Sequence, residues 1–287
     1  MRLLSFELSG RASWGAYAND GNVIDLGAAF GDTLPTLRDY LAAEAATQAK
    51  VAAHVDGGSR SADIAEADIT YLPTVPNAGK IIGIGFNYQK HAAETGLKVP
   101  EYPIIFARWH ESHVGHKQPL LAPKESEQYD YEGELAVIIG KPARRIRKAE
   151  ALSCVGGYSI YNDGSVRDWQ YRTSQFTPGK NFVNSGSFGP CMTTADEIPD
   201  PAALHLTTRF NGDVVQDEGI DDLIFDVPHL ISFVSTFVNL EPGDTIATGT
   251  PSGVGMARDP QLWMKPGDTV EIEISKIGTR SNPVAAG

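Results

Sequence analysis

The segment YEGELAVIIG (residues 131–140) combines two acidic residues with an apolar run. The run from Leu135 to Ile139 is rich in β-branched residues and ends at a glycine, which predicts a buried strand. Residues i and i+2 of a strand point to the same face, so Glu132 and Glu134 are expected to project together at the start of this strand. Two like charges held this close repel each other unless a cation or a proton lies between them.

A third acidic residue, Asp163, follows another strand-like run, Val155 to Tyr161. Three carboxylates without a cysteine beside them suit a hard divalent cation with oxygen ligands. We therefore expect Mg²⁺ or Mn²⁺ rather than zinc at Glu132, Glu134 and Asp163. The alternative from the spacing alone is an exposed acidic strand end.

The composition is that of an ordinary globular protein, and it excludes several classes of function. The net charge of the 287 residues is −12, which argues against nucleic acid as a partner because phosphate binding needs a basic face. A small anionic substrate still fits, since one local Arg or Lys can outweigh the mean field. Cys154 and Cys191 define no disulfide framework, and no run approaches the ~18 apolar residues of a membrane span. We expect a cytoplasmic protein with reduced thiols and no signal peptide.

The first 75 residues are predicted to form a small α+β domain. Its strands are expected at 3–8, 14–18 and 22–26, followed by a helix over 34–53 with Thr33 as its cap. The Pro-rich stretch 72–79 is predicted to be a linker to a second domain that covers residues 76–287.

The second domain is dominated by strands. We predict them at 81–86, 103–107, 135–139, 155–161, 204–210, 245–248 and 269–275. Asn211-Gly212 predicts a hairpin turn, and 220–238 contains one clear helix that starts at Asp226 or Pro228. Regular helices do not separate these strands, so a doubly wound parallel sheet is not expected. The predicted fold class is α+β and mostly β, a sandwich or roll with a few helices.

A second candidate group of residues follows the strand at 81–86. Asn87 can cap a short helix and Gly96 can end it, which places His91 and Glu94 at i and i+3 on one face. A carboxylate beside an imidazole fixes its tautomer and raises its basicity, so this pair is a candidate general base for activating water. The alternative is a surface helix with an incidental His/Glu pair.

Further polar residues lie near turns that could present them to a ligand. Arg167 is expected to form a structural salt bridge with Asp168 or another acid, and the alternative is an ion pair with a metal-site carboxylate. Gln170 could donate to a substrate oxygen. Lys180 could hold a carboxylate or a developing oxyanion, or it could be an ordinary solvent-facing lysine. The glycine-rich segment 248–255 lacks the ending of a phosphate loop, so nucleotide binding is not predicted.

Taken together, several ordered motifs resemble the fumarylacetoacetate hydrolase family. The resemblance runs from about residue 80 to 273, and any one motif alone would be weak evidence. The motifs are GFNYxxHxxE (85–94), YEGELAVIIG (131–140), GGYxIxNDxSxRD (156–168), GKNF (179–182), GDTIATGTPSGVG (243–255) and PGDTVEIE (266–273).

The resemblance implies a mixed β-sandwich roll, a homodimer, and specific roles for individual residues. Many members carry a lysine after the Phe-containing strand, where this chain has Arg108, which would bind a substrate carboxylate in a bidentate manner. The residues that match the family pattern are the metal ligands Glu132, Glu134 and Asp163, the water-activating pair His91 and Glu94, the substrate-polarising Lys180, and the substrate contacts Gln170 and Thr250.

The same resemblance implies an enzyme that acts on small 2-oxo acids. The activity expected first is hydrolysis of the C–C bond of a 2,4-dioxo acid (an acylpyruvate), which gives pyruvate and a carboxylic acid. The alternatives are decarboxylation of oxaloacetate and a hydroxymuconate-type isomerisation or tautomerisation, because an enolate is common to all three. A binding module without activity is a third possibility, and the intact acidic trio argues against it.

Overall fold

A large mixed sheet is built around the strand predicted from residues 135–139. The computed structural model of the protein describes residues 1–57, 64–90 and 99–287. Within it, β10 (Gly133–Ile139) and β11 (Val155–Asn162) form an antiparallel pair in which Leu135 lies opposite Ile160. Every residue of β10 is buried, which explains why this run is apolar without alternation.

The other strands of the described residues surround this pair. Their bounds are β1 (Arg2–Leu8), β2 (Arg11–Tyr17), β3 (Val23–Asp25), β4 (Thr70–Tyr71), β5 (Ile81–Gly85), β6 (Ile104–Arg108), β7 (His113–Val114), β8 (Leu120–Ala122), β9 (Tyr129–Asp130), β12 (Ser165–Val166), β13 (Gly186–Phe188), β14 (Met192–Thr194), β15 (His205–Phe210), β16 (Asp213–Gly219), β17 (Thr245–Ala247), β18 (Thr269–Ile274) and β19 (Gly278–Ala286). Each of the seven strands predicted beyond residue 80 is present, with its ends shifted by at most two residues.

Two sheets face each other across the main core. The larger sheet has the order β3-β2-β1-β14-β11-β10-β17-β5-β6, and the smaller one has the order β16-β15-β18-β19-β8. Leu135 of β10 shares one core with Leu206 of β15 and Ile272 of β18. The sheets approach so closely that a Cβ on Gly133 would lie 2.3 Å from the Thr208 hydroxyl oxygen. This mixed architecture confirms the predicted fold class.

Helices are few and short in the described residues. The α-helices are Leu26–Phe30, Leu37–Ala42, Ala45–Asp56, Arg167–Gln170, Thr177–Lys180 and Val227–Phe237. The 3₁₀ turns are Glu66–Asp68, His110–Ser112, Lys148–Cys154, Pro201–Ala203, Ile220–Asp222 and Gly255–Ala257. None of these helices is long and apolar enough to cross a lipid bilayer.

The helix predicted over 34–53 is instead two helices with a later start. Thr36 is the cap, because its hydroxyl accepts from the backbone N–H of Asp39 while the Asp39 carboxylate accepts from the N–H of Thr36. Thr33 belongs to the preceding turn, where its N–H donates to Phe30. Ala43 then adopts an extended conformation, which ends the first helix.

The first three strands continue the larger sheet, because β1 pairs with β14 and places Leu3 opposite Met192. The stretch 72–79, predicted to be a linker, packs against the rest of the chain. Thr74 is buried, and its N–H donates to the carbonyl of Phe188. Leu3 and Trp14 share a second core with Ile138 of β10. The domain boundary at residue 75 stays a prediction.

We expect Trp14→Ala to destabilise the whole chain in one cooperative transition. Trp14 is fully buried, its indole N–H donates to the Leu34 carbonyl at 2.7 Å, and its core is continuous with β10. The expected loss is about 3–5 kcal/mol of unfolding free energy. Urea unfolding followed by circular dichroism and by fluorescence of the remaining tryptophans measures it. The control is Val214→Ala at an exposed position. Two separate transitions, with only the first one shifted, would instead support an independent N-terminal domain.

Candidate metal centre and its cleft

Three acidic side chains meet at one end of the β10–β11 pair. Glu134 lies in β10, Glu132 comes two residues before it, and Asp163 follows directly after β11. The N–H of Asp163 donates to the carbonyl of Glu132, which holds the two backbones side by side. One carboxylate oxygen from each residue lies within 4.8 Å of the others, and all three side chains are buried. The alternative of an exposed acidic strand end is therefore wrong.

The charge of this trio makes Glu134 hard to ionise. Burial raises the pKa of Glu134 well above its ordinary value, and the charges of Asp163 and Glu132 raise it further. The backbone N–H of Gly249 donates to its carboxylate at 3.0 Å and partly opposes this effect. Three oxygen donors that repel one another fit a hard divalent cation, which would relieve that repulsion.

Lys180 lies among the carboxylates. Its ammonium nitrogen is 2.7 Å from Glu132 Oε2 and 2.5 Å from Asp163 Oδ2. Burial lowers the pKa of Lys180, but the two carboxylate charges outweigh it, so the pKa is raised and the side chain is cationic. The alternative of a solvent-facing lysine is wrong, since this side chain is buried. The helix Thr177–Lys180 can place it here because Gly179 has no Cβ, which would lie 2.3 Å from the backbone nitrogen of Gln170.

Arg108 approaches the trio from behind. It ends β6, is buried, and donates to the Asp163 carboxylate and to the Gly164 carbonyl, while its Nε donates to Ser112. It is not one of the residues that line the cleft. The structure therefore places the guanidinium against a metal-site carboxylate, whereas the sequence predicted a contact with substrate.

Arg167 joins the trio to a fourth buried acid that sequence reasoning missed. Its guanidinium lies 2.6 Å from Glu132 and 2.8 Å from Asp130, and it donates to the Gln170 side-chain oxygen at 2.9 Å. The pairing with Asp168, which the sequence left open, is wrong because the Asp168 carboxylate accepts from Ser126 and pairs with Arg172.

Asp130 fixes the loop on the far side of the cleft. Its carboxylate accepts from the backbone N–H groups of Gly255 and Met256 at 2.8 and 3.0 Å. Asp130, Glu132 and Glu134 follow one another at intervals of two residues. This two-residue spacing, which is typical of a strand, is the signal from which Asp130 could have been predicted.

Glu132, Glu134 and Lys180 line a cleft with a polar floor and a largely aromatic wall. The space in it that the centre of a water molecule can occupy is only about 20 Å³. The predicted contacts Gln170 and Thr250 both line it, and the Thr250 hydroxyl is held between the Gly133 carbonyl and the Gln216 amide. The wall consists of Phe86, Phe106, Tyr171, Phe176 and Met256.

His91 and Glu94 lie in the segment 91–98, outside the described residues, and their role stays a prediction. Of the histidines that the structure describes, none lines the cleft. His113 is buried behind it, where it hydrogen-bonds Tyr161 and the Trp109 carbonyl. Burial lowers the pKa of His113 well below its ordinary value, so it is neutral.

Residues 80–285 match the protein-family model described as fumarylacetoacetate (FAA) hydrolase C-terminal. The chain is 40% identical over 290 residues to a mitochondrial oxaloacetate tautomerase of Xenopus laevis, with 99% of this chain and 90% of that protein covered. The crystal structure of 5-carboxymethyl-2-hydroxymuconate δ-isomerase from Mycobacterium smegmatis is similar, with a TM-score of 0.78 and 30% identity over 100% of this chain and 99% of that one. Maleylpyruvate hydrolase from Sphingobium sp. SYK-6, in complex with manganese(II) and pyruvate, gives a TM-score of 0.82 and 28% identity over all of both chains.

We expect Glu134→Gln to weaken Mn²⁺ binding and to stabilise the protein in the absence of metal. The change removes one of three candidate ligands, so the Kd for Mn²⁺ should rise by more than about 100-fold. Because its pKa is raised on folding, the Glu134 carboxyl costs folding free energy at neutral pH in the absence of metal. An uncharged amide avoids that cost, so Tm in chelator should rise. Isothermal titration calorimetry and thermal unfolding with and without EDTA measure the two effects. Glu150→Gln, at a fully exposed position, is the control. Unchanged Mn²⁺ affinity would exclude Glu134 as a ligand.

Proposed function

The chain belongs to the fumarylacetoacetate hydrolase family, and from this premise we propose that it is a divalent-metal-dependent enzyme that interconverts the keto and enol forms of oxaloacetate. The observation that carries the proposal is the buried trio of Glu132, Glu134 and Asp163. Two of its members, Glu132 and Glu134, line a small cleft together with Lys180. The choice of reaction is supported by the 40% identity to an oxaloacetate tautomerase over almost the whole chain.

The trio would hold Mg²⁺ or Mn²⁺. When bound, the ion would supply a Lewis acid for the oxygens of a 2-oxo acid, which makes the protons on the neighbouring carbon more acidic. We propose both ions because they share the same oxygen ligands.

Lys180 is the proposed stabiliser of the negative charge that develops on the substrate. Its ammonium group faces the cleft between Glu132 and Asp163 and is held there before substrate arrives. A fixed cation in a buried site lowers the energy of an enolate oxygen more than water does. Gln170 and Thr250 would orient the substrate, because both line the cleft and both are fixed by hydrogen bonds to their neighbours.

A base must also take the proton from the substrate carbon and return it to oxygen. His91, oriented by Glu94, is the proposed proton carrier, as their sequence pattern suggested. The same pair could take a proton from water, which would change the reaction from tautomerisation to hydrolysis.

Hydrolysis of an acylpyruvate C–C bond, which gives pyruvate and a carboxylic acid, is the second candidate function. It is favoured by the likeness to maleylpyruvate hydrolase over the full length of both chains. Decarboxylation of oxaloacetate would use the same residues without a water nucleophile. We also propose a homodimer, as the family resemblance suggested, and a cytoplasmic location, as the two cysteines without a disulfide framework suggested.

We propose that Arg108 positions Asp163 and does not contact substrate. Its guanidinium donates to the Asp163 carboxylate and to the neighbouring Gly164 carbonyl, which fixes the orientation of that ligand. Such partners behind a ligand tune a metal site by holding the ligand in place.

The proposed activity predicts faster decay of the oxaloacetate enol in the presence of the enzyme and Mn²⁺. Enol oxaloacetate is diluted into buffer, and its ultraviolet absorbance is followed with wild type, Glu134→Gln and Glu150→Gln. We expect Glu134→Gln to lose at least about 100-fold in kcat/KM, because the candidate ion site is damaged. Decay at the buffer rate with wild type and saturating metal would contradict the proposal.

Pyruvate release from acylpyruvates and from oxaloacetate, assayed side by side, separates the other candidates. The variant Glu94→Ala should retain Mn²⁺ affinity and lose any hydrolysis. Pyruvate release from acylpyruvate that exceeds the rate of enol decay would make hydrolysis the main activity.

We expect Arg108→Lys to weaken Mn²⁺ binding about 10–100-fold. The charge is kept, so the loss would report on the orientation of Asp163. The Kd for Mn²⁺ is measured by calorimetry. The KM for oxaloacetate is measured with the enol-decay assay at saturating Mn²⁺, and Arg209→Lys is the surface control. A higher KM with an unchanged Kd for Mn²⁺ would instead mean that Arg108 contacts substrate.

A further inference from the structure

Arg280 occupies an inward position of the smaller sheet. In β19 the buried residues alternate with exposed ones, and Arg280, Asn282 and Val284 form the buried face. Arg280 lies opposite Ile272 of β18, and it reaches Ser187 of β13 in the larger sheet. A charged side chain thus lies between the two sheets, at a position where strands normally carry apolar residues.

The guanidinium has only neutral partners there. Its Nη1 donates to the Ser187 hydroxyl and to the Asn282 side-chain oxygen. Its Nε and Nη2 are buried and have no hydrogen-bond partner among the described residues. No aspartate or glutamate of the described ranges forms an ion pair with it, whereas Arg108 and Arg167 each have a carboxylate. Burial of an uncompensated charge costs several kcal/mol, so this arrangement calls for an anion.

The groups around Arg280 do not supply that anion. The Tyr129 hydroxyl donates to the Ser185 carbonyl at 2.6 Å, and burial raises the pKa of Tyr129, so it is neutral. His116 accepts from the Ser281 N–H, and burial lowers the pKa of His116 to about 4. Burial also lowers the pKa of Arg280, to about 9, which still leaves it cationic at neutral pH.

We propose that Nε and Nη2 of Arg280 bind a small inorganic anion of halide size, chloride in the first instance, between the two sheets. Two N–H groups of one guanidinium converge on the same side and form a ready fork for one anion. Ser187, Asn282 and Tyr129 are all buried around it, which favours a monatomic ion over a larger oxyanion. A water molecule could accept the same hydrogen bonds, but it would leave the charge uncompensated. The inference is independent of the function proposed for the cleft.

The first test is the dependence of stability on the anion. Wild-type protein is unfolded thermally in sodium chloride, bromide and gluconate at matched ionic strength. Because the anion binds only the folded chain, Tm should rise with chloride or bromide along a one-site saturation curve and stay flat in gluconate. Arg280→Met should lose this dependence, and Arg209→Met, a half-exposed arginine of the same sheet, should keep it. Equal curves for wild type and Arg280→Met would overturn the proposal.

The second test locates the ion and does not depend on how well a variant folds. Crystals of the wild-type protein grown in sodium bromide should show one anomalous peak within hydrogen-bonding distance of both Nε and Nη2. The result that overturns the proposal is density for water alone at these nitrogens, with no anomalous signal there and no difference in Tm between bromide and gluconate.

Discussion

One carboxylate oxygen from each of three buried acids lies within 4.8 Å of the others, and much of the surrounding structure opposes the repulsion among these acids. Glu132, Glu134 and Asp163 are brought together by the pairing of two buried strands, which cannot move apart without opening the core. Lys180 and Arg167 pair with Glu132, and Lys180 pairs with Asp163 as well. Among the described residues, the one hydrogen-bond donor to Glu134 is the Gly249 N–H, so Glu134 is the carboxylate that gains most from a bound cation.

The segment just before β10 fixes the far side of the cleft. Asp130, Glu132 and Glu134 repeat the period of a strand and face one way. Arg167 spans the first two, and Asp130 holds the N–H groups of Gly255 and Met256. The glycine-rich segment 248–255 is thereby fixed against the acidic floor. With Met256, which follows it, this segment contributes one wall of the cleft. One alternation in the sequence therefore places two of the three acids and the residue that fixes the loop across the cleft.

Buried cationic side chains have different partners near the trio and between the two sheets. Around the trio, each buried arginine or lysine lies beside a carboxylate, and the described network is dense. Between the sheets at β19, Arg280 has neutral partners and two nitrogens without any among the described residues. The contrast between Arg108 and Arg280 is informative because both are buried to a similar degree. Arg108 is paired with a carboxylate, whereas Arg280 has only neutral partners among the described residues. This difference is the basis for assigning an anion to Arg280.

The sequence by itself determined ten of the strands, the fold class and the trio, because these depend on local periodicity and on ordered motifs. β10 was read from one apolar run, and the shared face of Glu132 and Glu134 followed from the two-residue repeat. The start of the first helix was placed at Thr33 and not at Thr36, because both threonines can cap a helix. The break at Ala43, which is extended, was missed. Only the tertiary structure decided which cation meets which acid. Arg108 is 55 residues from Asp163 along the chain, and Arg280 is 93 residues from Ser187. Contacts across such separations depend on how sheets pack, and no local pattern encodes the distance between two side chains that meet only after folding.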